Sequence, residues 1–228
     1  MDKGTSPALT VACSNGLKGA VRTLEADLRK KLGALAISYG STRQFTDQLP
    51  PGTDVVIMSD TGIDAMIAGG KLAAGRFDLA LSRMGVAVRA GAPRPEITTL
   101  EAFIAALRNA KSIGRSRQGI SGVYLAGEFE RLGLSDELGP KIKAYDGYAP
   151  QACANGEVEI VIQQISELVI VEGLDIVGPV PDGLQKVTTF SAGITMQSTH
   201  RESALAFIAC LKAKEAAPTL RTNGLEPA

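Results

Sequence analysis

The chain has 228 residues, 45% of them hydrophobic, with 24 basic residues against 24 acidic ones and no tryptophan. This length holds one large domain or two small lobes, and the core must be aliphatic. A net charge of zero leaves no basic stripe to hold a phosphate backbone, which argues against nucleic acid as a partner.

The three cysteines, Cys13, Cys153 and Cys210, are widely spaced and form neither a CxxC pattern nor a disulfide framework. The single histidine, His200, argues against a histidine metal site and against a Ser-His-Asp triad. No metal and no cofactor is therefore expected. No apolar run is long enough to span a bilayer. The opening MDKGTSPALT lacks the hydrophobic segment of a secretory signal. A periplasmic location is expected if a leader has been removed, and a cytoplasmic one otherwise.

Along the chain one junction recurs: a short apolar run, a small polar turn, then a helix. It appears at 9–18 (LTVACSNGLK), 34–44 (ALAISYGSTRQ) and 54–62 (DVVIMSDTG), with a related turn at 117–124 (RQGISGVY). The apolar runs 8–13, 34–39 and 54–58 read as strands. Leu17, Ala20, Val21, Leu24 and Leu28 share one face of a helix running to about Lys31. Ser41 with Gln44 forms a capping box, Pro50-Pro51-Gly52 ends that helix, and Thr61 opens the next. Residues 77–89, FDLALSRMGVAVR, read as a long strand with a polar middle at Ser82-Arg83, the form of a segment passing between lobes.

Thr98 with Glu101 forms a second capping box, ahead of a helix whose Leu100, Phe103, Ile104 and Leu107 share a face. A short strand at 112–116 precedes a helix capped by Ser121. Strands at 143–145, 158–163 and 174–177, an extended return at 186–196, and helices at 201–213 and 214–222 complete the chain. Strand and helix alternate, which predicts an α/β fold with mainly parallel sheets and ligands outside the carboxyl ends of the strands. Each junction sets unpaired N–H groups and small hydroxyls at a helix N-terminus, the physics of an anion site.

ACSNGLK, GSTRQFTDQL, TDVVIMSD, SGVYLAGEFERLGL, NGEVEIVIQQISEL and SALAFIACLKAKEA follow one another in order over almost the whole length. The chain so patterned resembles a type II periplasmic solute-binding protein of the molybdate-binding branch. That resemblance implies two lobes, 1–83 plus 194–228 and 84–193, joined by two strands with a small anion in the cleft between them. It also implies an ABC-transporter permease as partner. The candidate ligand-binding residues, at the junctions and strand ends, are Ser14, Asn15, Gly16, Ser41, Thr42, Arg43, Asp60, Ser121, Gly122, Tyr148, Gln163 and Gln164.

The chain departs from the branch in three places. Gly16 stands where the branch has a serine, Arg43 follows the hydroxyls of the second junction, and Gln163 and Gln164 lie near the branch's tyrosine contact. Neutral donors of fixed geometry select a tetrahedral dianion, whereas a guanidinium fork suits a planar carboxylate. An organic di- or tricarboxylate is therefore the expected solute. Aconitate isomerase is also similar, so an isomerase using the same donors is the alternative, with Asp60, Asp146, Tyr148 and Glu167 as candidate bases near strand ends. Cys13 and Cys210 have the spacing of core residues, Arg115 and Arg117 that of surface ones, and His200 that of a helix start.

Overall fold

The computed structural model describes residues 8–146 and 149–228. In chain order the first elements are β1 (Leu9–Ser14), α1 (Lys18–Leu32), β2 (Leu35–Gly40), α2 (Thr42–Asp47), β3 (Val55–Ser59), α3 (Asp60–Ala68) and β4 (Phe77–Ser82). Next come β5 (Met84–Arg89), α4 (Leu100–Asn109), β6 (Ile113–Ser116), α5 (Ile120–Arg131), α6 (Ser135–Leu138) and β7 (Ile142–Tyr145). Then follow α7 (Ala149–Ala154), β8 (Ile160–Gln164), α8 (Ile165–Leu168) and β9 (Leu174–Pro179). The chain closes with β10 (Thr188–Ile194), α9 (Arg201–Lys212), α10 (Ala217–Thr222) and β11 (Leu225–Pro227).

The chain forms two compact units. One holds the described residues up to Leu81 together with Thr188–Ala228, the other Ser82–Val187. The stretch expected as one long strand is broken at Arg83, so that β4 belongs to the first unit and β5 to the second. The return passage falls ahead of β10 rather than at 194, because Phe190–Ile194 pair antiparallel with β3.

In the first unit six strands run in the order β11-β4-β10-β3-β1-β2. β1 is parallel to β2 and to β3, and β10 is antiparallel to β3. Successive side chains of a strand point to opposite faces, and this sheet buries both. Leu9, Val11, Cys13, Val55 and Ile57 join one core with Leu17, Val21, Phe190 and Phe207. Ala12, Val56 and Met58 join another with Phe45, Ile63, Met66 and Leu72. Burial on both faces explains why these strands are continuously apolar rather than alternating.

The second unit repeats the plan with five strands in the order β7-β6-β8-β5-β9. β6 is parallel to β7 and β8, while β5 is antiparallel to β8 and β9, so the sheets are mixed. Met84, Val86, Val88, Ile160 and Ile162 face one core with Phe103, Leu107 and Phe129. Ala87 and Val161 face another with Ala149, Cys153 and Leu168.

The starts of α4 and α5 differ from expectation by one or two residues. Thr99, not Thr98, caps α4, its hydroxyl accepting from Ala102 N at 3.1 Å, while Thr98 N donates to Glu96 Oε1 at 2.8 Å. Gly119, not Ser121, stands at the cap of α5. The Ser116 hydroxyl accepts from Gly119 N at 2.8 Å, closing the loop early enough for the helix to begin at Ile120. Among the described residues no helix is long and apolar enough to cross a membrane.

Candidate functional site

In the first unit, three junctions lie side by side at the carboxyl ends of β2, β1 and β3. The register pairs Ser14 with Gly40 and Cys13 with Ile57. Each turn is closed by a serine. The Ser14 hydroxyl accepts from Gly16 N at 3.4 Å, at the start of a single 3-10 turn (Asn15–Leu17) that leads into α1. Ser41 and Gln44 form the expected capping box, with Gln44 N to Ser41 Oγ at 3.1 Å and Ser41 N to Gln44 Oε1 at 2.7 Å. The third cap is Ser59, a residue the sequence reading passed over in favour of Thr61; its hydroxyl accepts from Gly62 N at 3.3 Å. The signal for it was the run Ser59-Asp60-Thr61-Gly62 directly after the four buried strand residues Val55–Met58. Asp60 opens α3 and its Oδ1 accepts from Thr61 N at 2.8 Å.

The second and third junctions also touch: Ser59 N donates to Thr42 Oγ1 at 3.4 Å, and a Cβ on Gly62 would come within 2.8 Å of the Thr42 methyl carbon. Gly16 has its own reason. A Cβ there would meet the Phe190 ring at 2.1 Å, so the serine of the molybdate branch has no room while Phe190 keeps this position. Arg43 is exposed, its side chain 65% accessible, and its Nε lies 3.6 Å from Asp47 one turn along α2.

In the second unit the parallel strands β6 and β8 present their carboxyl ends together. A Cβ on Gly122 would fall 1.8 Å from the backbone oxygen of Ser116, so only glycine lets the first turn of α5 pack this tightly on the end of β6. The first i to i−4 bond at the start of α5 runs from Val123 N to Gly119 O, at 3.0 Å, so the N–H groups of Ile120, Ser121 and Gly122 precede it. Ser121 is buried, and its hydroxyl donates to Gln163 Oε1 at 3.5 Å. Gln163 Nε2 donates in turn to Glu167 Oε2 at 2.9 Å. Gln163 and Gln164 end β8 with 4% and 2% exposure, so both are enclosed although their side chains alternate. Tyr148 lies outside the described residues.

Several other residues separate from these turns. The Arg115 guanidinium is half-buried, with Nη1 donating to Ser116 O at 3.0 Å and Gly122 O at 3.1 Å; burial, then Arg117, pulls its pKa down. It thus supports the α5 turn rather than remaining a plain surface charge. Arg117 pairs with Asp146 at 2.8 Å. His200 lies beside Asp54, Nδ1 to Oδ1 3.2 Å, and the other Asp54 oxygen accepts from Thr10 N at 2.9 Å. These groups sit where β1 and β3 begin, the end of the sheet away from the junctions. Burial pushes the Cys13 thiol up, and it pushes the Tyr39 phenol up to about 12, so neither is a ready nucleophile or base.

A groove of about 780 Å³ also opens in the second unit, lined by Arg89, Arg94 and Glu159 among others. Its strand residues, Val88, Arg89 and Ile160, lie at the end of the sheet opposite Gln163, and it shares no residue with the candidate site.

Residues 9–226 match the model of a family described as bacterial extracellular solute-binding protein. An aconitate isomerase from a Pseudomonas species is 36% identical over 230 aligned positions, covering 96% of this chain and 87% of that protein. The periplasmic molybdate-binding protein of Azotobacter vinelandii superposes with a TM-score of 0.78 at 20% identity, over 95% of this chain and 98% of the other. The sulfate-binding protein SubI of Mycobacterium tuberculosis gives a TM-score of 0.74 at 18% identity, over 98% and 88%. The fold is thus the two-lobed type II periplasmic binding-protein fold.

Proposed function

Because this chain belongs to the bacterial extracellular solute-binding protein family, we propose that it holds a small organic carboxylate at its strand-end turns and isomerises it as an aconitate isomerase does. The near-full-length likeness to aconitate isomerase carries this reading. It reverses the order reached from sequence, where capture for an ABC-type permease came first and isomerisation second.

Aconitate carries three carboxylates around one carbon–carbon double bond. Isomerising it needs a proton taken from the methylene carbon and returned to the carbon that was vinylic, so that the double bond moves along the skeleton. The reaction is redox-neutral and has no leaving group. It needs donors for the carboxylates, a positioned base, and groups that hold negative charge as it develops. The amides and hydroxyls around Ser14, Asn15, Gly16, Ser41 and Thr42, and around Ser121 and Gly122, are donors of the first kind. Arg43 adds a guanidinium that can hold a carboxylate bidentately, and Asp60, Gln163 and Gln164 complete the proposed ligand residues. The Phe190 ring against Gly16 supports a planar organic acid over a tetrahedral oxyanion, since it takes the space of a hydroxyl that the molybdate branch would supply.

Capture without turnover is the second reading, favoured by the fold shared with the molybdate- and sulfate-binding proteins; a permease partner belongs to that reading. Incubating the protein with cis- or trans-aconitate and following the ultraviolet absorbance separates the two. Interconversion supports the isomerase. A rise in melting temperature with aconitate but no interconversion supports capture. A rise with molybdate or sulfate alone, in a panel with tungstate and citrate, defeats the carboxylate reading, because only a ligand of the native state raises its stability.

A further inference from the structure

We propose that the groove of the second unit, where β5 ends and β8 begins, is a separate binding site for a small amphipathic carboxylate. Arg89 takes the carboxylate, and the apolar face of α4 takes the body of the molecule. This does not rest on the isomerase reading, and the groove shares no residue with the strand-end turns.

The shape follows from the residues. The paired strand ends supply Val88 and Ile160, both buried. Helix α4 divides its side chains between two faces. Phe103 and Leu107 are fully enclosed in the core, while Ala102, Ala105 and Ala106 line the groove. Methyl groups at these positions leave a volume that longer side chains would fill. The loop 90–96 forms the remaining wall, and Pro93 and Pro95 fix its backbone. It is tied down along its length. Ala90 N donates to Gly173 O at 2.8 Å, Gly91 N to Asp175 Oδ2 at 3.0 Å, and Arg94 Nη2 to the carbonyls of Ile176 and Val177. The groove of about 780 Å³ is thus held open by the protein's own contacts. Its size falls within the range of small-molecule sites, about 300–1,000 Å³.

The charges at the rim decide the occupant. Arg94 is spent on the two carbonyls. Glu96 Oε1 accepts from Thr98 N at 2.8 Å, and Glu159 Oε2 from Lys111 N at 2.7 Å, with Lys111 Nζ 3.9 Å from the other Glu159 oxygen. Both glutamates are engaged, which disfavours a cation. Arg89 differs. Its side chain lies along Gly156, where a Cβ would stand 3.1 Å from Nη1 and 3.8 Å from Cδ. Glycine there leaves the guanidinium uncovered, and among the described residues no carboxylate pairs with it. An uncommitted guanidinium beside an apolar trough suits an anion that brings apolar surface of its own. The fork holds one carboxylate through two parallel N–H···O bonds, and the alanine and proline walls take a short aliphatic or aromatic body.

Calorimetry with hexanoate, and with hexanamide as its neutral counterpart, tests this, each with and without saturating aconitate. One saturable hexanoate site is expected, with hexanamide about tenfold or more weaker. Arg89→Met keeps the stem and removes the charge; it should bring hexanoate down to the level of hexanamide. Ala105→Leu sets an isobutyl group in the trough and should weaken both probes about tenfold or more. Both positions are exposed, so the melting temperature and any response to aconitate should stay as in the wild type. Hexanoate binding that survives either substitution, or that aconitate displaces, would overturn the proposal. So would the lack of saturable hexanoate binding up to about 10 mM. None of these results bears on whether aconitate is isomerised.

Discussion

The strand ends of the two units are built from the same local rule and put it to different use. In the first unit three serines, Ser14, Ser41 and Ser59, each spend their hydroxyl on an amide of the following turn. The result is a set of neutral, fixed donors. In the second unit Gly119 caps α5 without a side chain, so the Ser121 hydroxyl is left to point at Gln163 and, through it, at Glu167. One helix that lacks a side-chain cap thus leaves a hydroxyl for a polar chain ending in a carboxylate. The first set presents donors fixed by local turns, and the second a buried polar chain that ties α5 to the end of β8.

The contrast can be broken at defined points. The largest effect is expected at Gly122. Its Cβ would strike a backbone oxygen rather than a flexible side chain, so Gly122→Ala should cost about 1–3 kcal/mol, read from denaturant unfolding, together with loss of the carboxylate-induced shift. Gly16→Ser should cost somewhat less, about 1–2 kcal/mol, because the obstacle is a phenylalanine ring that can yield. If Phe190 is what keeps out the hydroxyl, Gly16→Ser should be better tolerated beside Phe190→Leu, a coupling that a double-mutant cycle measures.

Arg43→Ala should weaken aconitate binding about tenfold or more by calorimetry, with the fold intact, since the side chain is exposed. An unchanged affinity would take Arg43 out of the ligand set. Ser41→Ala removes one side of the capping box and should lower stability by about 1 kcal/mol. The smallest expected effect is on thiol labelling. Burial raises the Cys13 thiol and pushes Cys153 up to about 11, so alkylation of the native protein near pH 8 should spare both, while the less buried Cys210 reacts.

Much of this was legible in the sequence for identifiable reasons. Strands β1 and β3 are runs of small and branched apolar residues bounded by polar turns, and burial on both faces demands that pattern. The Ser41–Gln44 box could be read because both halves of the motif lie within one turn. What escaped depends on contacts far apart in the chain. The glycine at position 16 is explained by a ring 174 positions later (190 − 16 = 174), which no local pattern announces. Ser121 looked like a cap because the hydrogen bond from Gly119 to Ser116 that starts the helix early is invisible in composition. Thr98 and Thr99 are adjacent and chemically alike, so sequence alone does not separate the cap from its neighbour. Glu167 was named only as a strand-end acid; its link to Ser121 needs Gln163 as intermediary, across 42 positions of sequence.

The most direct measurement is the ultraviolet absorbance of purified protein mixed with cis-aconitate. The account predicts conversion to trans-aconitate, with the protein stabilised by the ligand. A wild-type protein that aconitate stabilises but never converts, or that aconitate fails to stabilise at all, would contradict it.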